Sequence, residues 1–352
     1  MRKLALYISI FTAALGMAQI GGTKTFRFLD LPIPARANAL GGNGTMAIWD
    51  DDINLSYSNP ALLNHNCNNQ FAFNYVNYVA DLNYGNFAYA HHFKKVGTFA
   101  AGIQYFNYGK FDGRDEYDEQ TGKFNAADYS LNLSLSRPIS KDSCFSVGIT
   151  AKTIYSHYDQ YYSFGSAFDF GITYHNKHQL TASIVAKNYG KQWRPYSGKD
   201  GVKESLPADL QIGISKKIPK APFRLIAVYD QLMKWDLTYV SPLDEANQID
   251  PFTNEPAKKR TKSQIWGDKF IRHITIASEI IVTKNFNLRV GYNFMRGKEM
   301  KLPDKKGVNG LSLGLGFKIY KFQFSYAFSK YNIVGNSHTF SIATSLANFT
   351  KK

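Results

Sequence analysis

The side chains best placed to do chemistry are three consecutive carboxylates, Asp50-Asp51-Asp52, with Arg36 ahead of them and Asn59-Pro60 behind. A calcium ion needs about six oxygen ligands, and an unbroken acidic run lacks the spaced donors that wrap one. His91-His92 are adjacent, so on a strand they point to opposite faces and cannot share an ion. His175 and His178 flank a turn, where a ligand pair and plain solvation are both open readings. Cys67 and Cys144 have no metal-ligand pattern near them and are too few for a disulfide scaffold. A bond between them stays open, because sequence does not show proximity. There is no nucleophile elbow, phosphate loop or His-Glu-x-x-His. The expectation is therefore a non-enzyme, with no catalytic residue, no metal and no cofactor.

The carboxylates and Arg36 sit in one unusual stretch, Gly21 to Leu63. Pro32, Pro34 and Pro60 break any long helix there, and Gly41, Gly42 and Gly44 suit positive φ or close backbone approach. Phe26, Phe28, Leu29, Leu31, Leu40, Ile48 and Trp49 are too much apolar area to leave in water. An irregular segment of this kind needs a container.

The remaining residues supply one. From Phe71 onward the pattern has period two, in about fourteen segments of ten or more residues, the length a tilted membrane strand needs. They run Phe71–Ala80, Leu82–Phe93, Val96–Tyr108, Ala126–Pro138, Ser143–His157, Tyr161–His175 and His178–Gly190. Pro207–Ile218, Phe223–Leu232, Lys269–Val282, Phe286–Gly297, Val308–Ile319, Phe322–Tyr331 and Ser337–Asn348 complete the set. Leu131, Leu133 and Leu135 alternate with Asn132, Ser134 and Ser136; Leu311, Leu313 and Leu315 alternate with Ser312, Gly314 and Gly316. Apolar residues on one face and small polar ones on the other match a wall with lipid outside and a polar lumen inside. Connections alternate too, short as at Lys94-Lys95 and Tyr320-Lys321, long as at Gly109–Asn125, Lys191–Leu206, Met233–Asp268 and Lys298–Gly307. Short odd connections at Asp81 and Tyr158–Gln160 depart from that pattern. The expected fold is all-β: a transmembrane antiparallel β-barrel with an N-terminal hatch or plug in its lumen. A soluble sandwich or propeller would explain the alternation alone.

Targeting agrees. Arg2 and Lys3, the apolar run Leu4–Leu15 and Gly16-Met17-Ala18 form a secretory signal peptide. The expected division is residues 1–18 signal peptide, 19–68 hatch and 69–352 barrel. No later run reaches the roughly 18 apolar residues of a membrane helix. The formal charge is +15, from 42 Lys+Arg against 27 Asp+Glu. An exported chain does not meet nucleic acid, so outer-membrane lipid, and anionic lipopolysaccharide above all, is the expected partner surface. Both termini are expected on the periplasmic side and the long loops at the cell surface.

Inside such a wall, Asp50, Asp51 and Asp52 would either pair with lumen Lys or Arg and pin the hatch, or form a helix cap or solvated turn. Arg36 could reach a lumen carboxylate with its planar fork of donors. Asn59-Pro60 would end a turn before the first strand. The loop Met233–Asp268 carries Trp235, Lys258, Lys259, Arg260, Lys262 and Trp266, a mixture of charge and aromatic surface that suits partner binding.

The block Ala35-Arg36-x-x-Ala39-Leu40-Gly41-Gly42, the Asp run and the Asn59-Pro60-Ala61-x-Leu63 close resemble the N-terminal hatch of FadL-like outer-membrane barrels. With Phe26-Arg27-Phe28-Leu29-Asp30-Leu31-Pro32 in front, the stretch is similar to a barrel component of the type IX secretion system of Bacteroidetes. That resemblance implies a scaffold that anchors a PorZ-like surface protein through its loops, with the PorU sortase and the PorV barrel in the same attachment complex. The alternatives are a FadL-like transporter of hydrophobic small molecules or a PorV-like cargo shuttle.

Overall fold

A strand pattern with one apolar and one polar face can bury its polar face only by curling, and here the sheet closes on itself. The computed structural model describes residues 24–79, 82–140, 142–198, 201–238, 261–299, 309–331 and 335–349. The signal peptide and Lys258-Lys259-Arg260 lie outside the described residues. An N-terminal segment holds the short helix α1 (Ala35–Ala39) among 3-10 turns. The first seven strands are β1 (Gln70–Asn77), β2 (Asn83–Phe93), β3 (Gly97–Arg114), β4 (Gln120–Pro138), β5 (Phe145–Tyr158), β6 (Tyr161–His175) and β7 (Leu180–Arg194). Then come β8 (Asp209–Lys217), β9 (Phe223–Tyr229), helix α2 (Lys262–Ile271), β10 (Ile274–Thr283) and β11 (Phe286–Asn293). Helix α3 (Phe294–Glu299), β12 (Leu311–Ile319), β13 (Phe322–Lys330) and β14 (Asn336–Ser345) complete the order. Each strand pairs antiparallel with its sequence neighbour, and β1 pairs with β14 from Gln70↔Ser345 to Asn77↔His338. The expected fourteen-strand closed barrel is the one observed.

Alternation decides which side faces out. On β4, Leu131 and Leu133 are exposed while Ser130, Ser134 and Ser136 are buried; on β6, Phe168, Phe170 and Ile172 are exposed while Asp169 and Thr173 are buried. Polar groups line the inside, and the outside is an apolar band far too extensive for water. Aromatic pairs gather at the short-turn end, with Phe93–Phe99 centroids 5.5 Å apart and Phe145–Tyr174 4.9 Å apart. At the long-loop end Tyr162, Phe164 and Trp193 point outward. An apolar belt between aromatic rims is the outer surface of a bilayer-spanning barrel.

Several boundaries differ from expectation. Most of Gly109–Asn125 is ladder rather than loop: after a bulge between Asn107 and Lys110, Lys110 pairs with Asn125 and Phe111 with Phe124. Gly109 takes φ +90 and its N–H bonds Asn107 Oδ1, so the alternation breaks there and resumes in shifted phase, which reads as a loop. β7 likewise runs to Arg194, into the expected loop Lys191–Leu206. Lys269–Ile271, expected in a strand, end helix α2, which Thr261 starts with a capping box to Gln264. Helix α3 occupies the end of the expected strand Phe286–Gly297. Cys67 and Cys144 are both free thiols.

The N-terminal segment lies against the inward faces all round the ring. Helix α1 packs on β11 to β14, the turn Gly44–Ala47 on β7 to β10, and Pro60–Leu62 on β4 to β6. Turns Ile53–Tyr57 and His65–Cys67 complete the circuit on β1, β2 and β3. Ile33, Leu40, Met46, Ile48, Ile53, Leu55 and Leu62 are fully buried. Each such side chain contributes about 1.5–3 kcal/mol relative to exposure.

Candidate functional site

Three neighbouring strands bring charge to one place on the inner wall. In the sheet register Glu279 of β10 lies directly opposite Arg224 of β9 and Arg289 of β11. Arg224 Nη1 is 2.6 Å from Glu279 Oε2 and Arg289 Nε 3.1 Å from Oε1. Into this trio Arg36 projects from α1, its Nε 2.7 Å from Glu279 Oε1 and its Nη2 2.8 Å from Oε2. The flat guanidinium matches the carboxylate at two points, which a lysine could not do.

The acidic run separates into three roles. Asp50 accepts from both arginines: Arg224 Nη2 at 2.8 Å, Arg224 Nη1 at 2.7 Å and Arg36 Nη2 at 2.5 Å. Asp52 caps the turn Ile53–Tyr57, its Oδ1 accepting from Asn54 N at 3.0 Å, and its Oδ2 lies 3.5 Å from Arg36. Asp51 is exposed and accepts from Asn66 Nδ2 at 2.9 Å. Three arginines thus face Asp50, Asp52 and Glu279, a formally neutral cluster. Its core is dry, with the Glu279 side chain 2% exposed, while Asp50 at 31% is the member nearest water.

Backbone geometry seats the segment. Gly41 and Gly42 take φ +81 and +99, the left-handed turn that ends α1, and Gly42 N–H bonds Ala37 O at 2.8 Å. Asn59 Nδ2 donates to Met46 O and Thr173 Oγ1, both at 2.9 Å, and its Oδ1 accepts from Ala61 N. Pro60 opens the turn that presses on Gly148 of β5. Elsewhere the lumen is polar: Lys152 Nζ is 2.7 Å from Asp169 Oδ2 and from Asn188 Oδ1. The hollow between Lys152, Asp169, Asn132 and Tyr57 holds about 30 Å3, room for water but not for a ligand.

A larger hollow opens outward. Leu225, Ile276, Val290 and Tyr292 surround about 390 Å3 on the lipid side of β9, β10 and β11. Its floor is Ile226, Ala277 and Gly291, and a Cβ on Gly291 would overlap the backbone of Leu40 and Gly41 inside. The wall there is a single sheet backed directly by the N-terminal segment.

At the long-loop end Trp235 and Trp266 stand 5.9 Å apart, and Lys262 is the exposed first residue of α2. His175 stacks on Trp49 at 3.8 Å. Arg224, Glu279 and Arg289 escaped sequence reading because each is a lone charge in its strand. Their signal is parity: Glu279 stands on the inward face of Ile274–Thr283, where an unpaired carboxylate would be costly.

No protein-family model matches the chain, and no curated protein matches it. Among solved structures, the Ralstonia pickettii toluene transporter TbuX aligns with a TM-score of 0.51 at 12% identity, over 90% of this chain and 99% of that one. The P. putida toluene transporter TodX aligns with a TM-score of 0.53 at 12% identity, over the same shares. A Pseudomonas aeruginosa FadL homologue aligns more loosely, with a TM-score of 0.45 at 10% identity over 89% and 98%. At such identities the likeness is one of fold alone, the closed barrel shared with the two toluene transporters.

Proposed function

We propose that this chain is an integral barrel of the bacterial outer membrane that passes hydrophobic small molecules through its wall, with the N-terminal segment as its hatch. The observation that carries this reading is the apolar hollow over Ala277 and Gly291, backed by the hatch at Leu40–Gly41. Parting of the β10–β11 ladder at Ala277 and Gly291, together with a shift of that part of the hatch, would join the hollow to the lumen. The fold shared with two toluene transporters supports the same reading. Uptake of a monoaromatic hydrocarbon and of a long-chain fatty acid by cells carrying the protein tests it. Val290→Trp, which fills the hollow from outside without touching the hatch, should abolish uptake; uptake equal to that of cells lacking the barrel would sink the reading.

A second reading rests on the pinned hatch, which turns the barrel into a fixed base. In it the chain, which resembles PorQ, is a non-enzymatic outer-membrane component of type IX secretion. Its surface loops would hold a PorZ-like protein beside PorU and PorV, close to lipopolysaccharide. Exchanging Met233–Asp268 for a short Gly-Ser link should then release the surface partner in pull-downs from intact outer membrane. Unchanged co-purification would remove this reading.

A further inference from the structure

Helix α2 and residues 233–236 lie against the outside of the barrel. Tyr229 fixes the direction: it pairs with Ile212 of β8 and Ile274 of β10, and Ile212 is an exposed residue of the outer wall. Phe270 packs on Tyr229 with centroids 5.5 Å apart, Trp266 stacks on Phe270 at 5.5 Å and 5°, and Trp235 meets Trp266. Met233 Sδ accepts from the hydroxyl of outward-facing Tyr189 at 3.0 Å. The aromatic face is therefore continuous with the band that hydrocarbon covers.

Ion pairs hold the helix in this attitude. Asp268 is buried, bonded by Lys298 Nζ at 2.8 Å and Arg272 Nη2 at 3.3 Å, and Lys269 Nζ reaches Asp236 at 2.6 Å. Trp266, at 58% exposed, and Ile265 keep open faces among the described residues. Cations flank the patch: Lys234 and Lys262 are exposed, Lys191 lies over the Trp193 ring at 5.5 Å, and Arg194 over Tyr162 at 3.9 Å. Apolar rings beside cations, at the end of an apolar wall, match the boundary between acyl chains and phosphate-bearing headgroups.

We propose that α2 is a membrane-interface anchor: its Trp266–Phe270 face rests in the headgroup boundary of the leaflet at the long-loop end, and its flanking cations meet lipid phosphates. The proposal builds on the membrane-spanning barrel and assigns Trp235 and Trp266 to lipid rather than to a protein partner.

The chain has four tryptophans, so single-tryptophan variants made by Trp→Phe replacement report each place separately. Each is reconstituted in vesicles of phosphatidylethanolamine and phosphatidylglycerol containing lipids brominated near the headgroup or deep in the chain. Trp193, on the wall, should be quenched and Trp49, in the lumen, should not. The Trp266-only protein should lose most of its emission to shallow bromines, less to deep ones, and be shielded from aqueous iodide. Quenching of Trp193 with Trp266 open to iodide would overturn the anchor and leave that face free for a protein partner. If Trp193 is not quenched either, the membrane-spanning barrel itself fails.

Discussion

Arg36 and Glu279 meet through two parallel bonds, Nε to Oε1 at 2.7 Å and Nη2 to Oε2 at 2.8 Å, across 243 positions of sequence. The pair ties helix α1 to strand β10. Arg36→Met keeps much of the side chain's bulk and removes its charge, leaving two arginines around Glu279 and taking from Asp52 the guanidinium 3.5 Å from its Oδ2. The N-terminal segment should lose about 3–5 kcal/mol of docking free energy, the cost of breaking a buried pair from one side. Faster hydrogen exchange across residues 27–67, with the strands unchanged, is the expected result.

The three aspartates should respond unequally. Asp50→Asn removes the carboxylate that bridges Arg36 and Arg224 and should speed exchange in α1 and the following turn. Asp51→Ala loses one exposed bond to Asn66 and should change stability by no more than about 0.5 kcal/mol. Equal effects at both positions would dissolve the division of roles.

Asn59 satisfies Met46 O and Thr173 Oγ1 in a fully buried place. Asn59→Ala takes the donor from Met46 O, while Thr173 Oγ1 keeps Ser183 Oγ at 2.9 Å, and should cost about 1–3 kcal/mol. Exchange should quicken at Asn59–Leu63 before it does at α1, because the neighbouring ion cluster is intact.

Gly171 of β6 faces the same corner, where an added Cβ would run into the Asn59 side chain and come within 3.2 Å of Ala61 Cβ. Gly171→Val should therefore displace the turn Pro60–Leu62 while the barrel still folds. Protease sensitivity confined to the N-terminal segment would show it.

Acid should spare the helix at the long-loop end longer than ordinary carboxylates suggest. Burial pushes the Asp268 carboxyl up, but the Lys298 bond and the Arg272 charge outweigh it and hold it below the usual range. Asp236 is held low by the Lys269 bond and by Thr238. A carboxylate depressed in the folded state contributes stability above its unfolded value and loses it as pH falls through the folded one. The near-ultraviolet dichroism of the Trp266–Phe270 stack should then persist down to about pH 4, where free aspartate is half protonated, and decay only below it. Decay centred above that point would contradict the pairing.

Closure of the sheet and its strand number were readable because alternations like Leu131/Ser130 and Phe170/Asp169 recur in several strands and need no distant partner. The interruptions were not readable, for local reasons. The bulge at Asn107–Lys110 shifts the phase of β3, and the capping box at Thr261 starts a helix inside a stretch whose aromatic residues resemble a loop. Of the ion cluster, Arg36 and the acidic run stood out as neighbours in sequence. Arg224, Glu279 and Arg289 become neighbours only through register, which three separate strands must set before any of them has a partner.

The junction of β1 with β14 makes assembly irreversible in order. Every other strand pair is a hairpin or a near neighbour that can zip locally, whereas this seam joins the two ends of the sheet and must come last. Residues 27–67 touch strands on both sides of that seam, so its closure and their docking share the same walls. A chain halted before β14 would not be a narrower pore. It would be an open sheet with two raw edges, each presenting unpaired amides to the next molecule, and biogenesis of this protein has to guard that moment above all others.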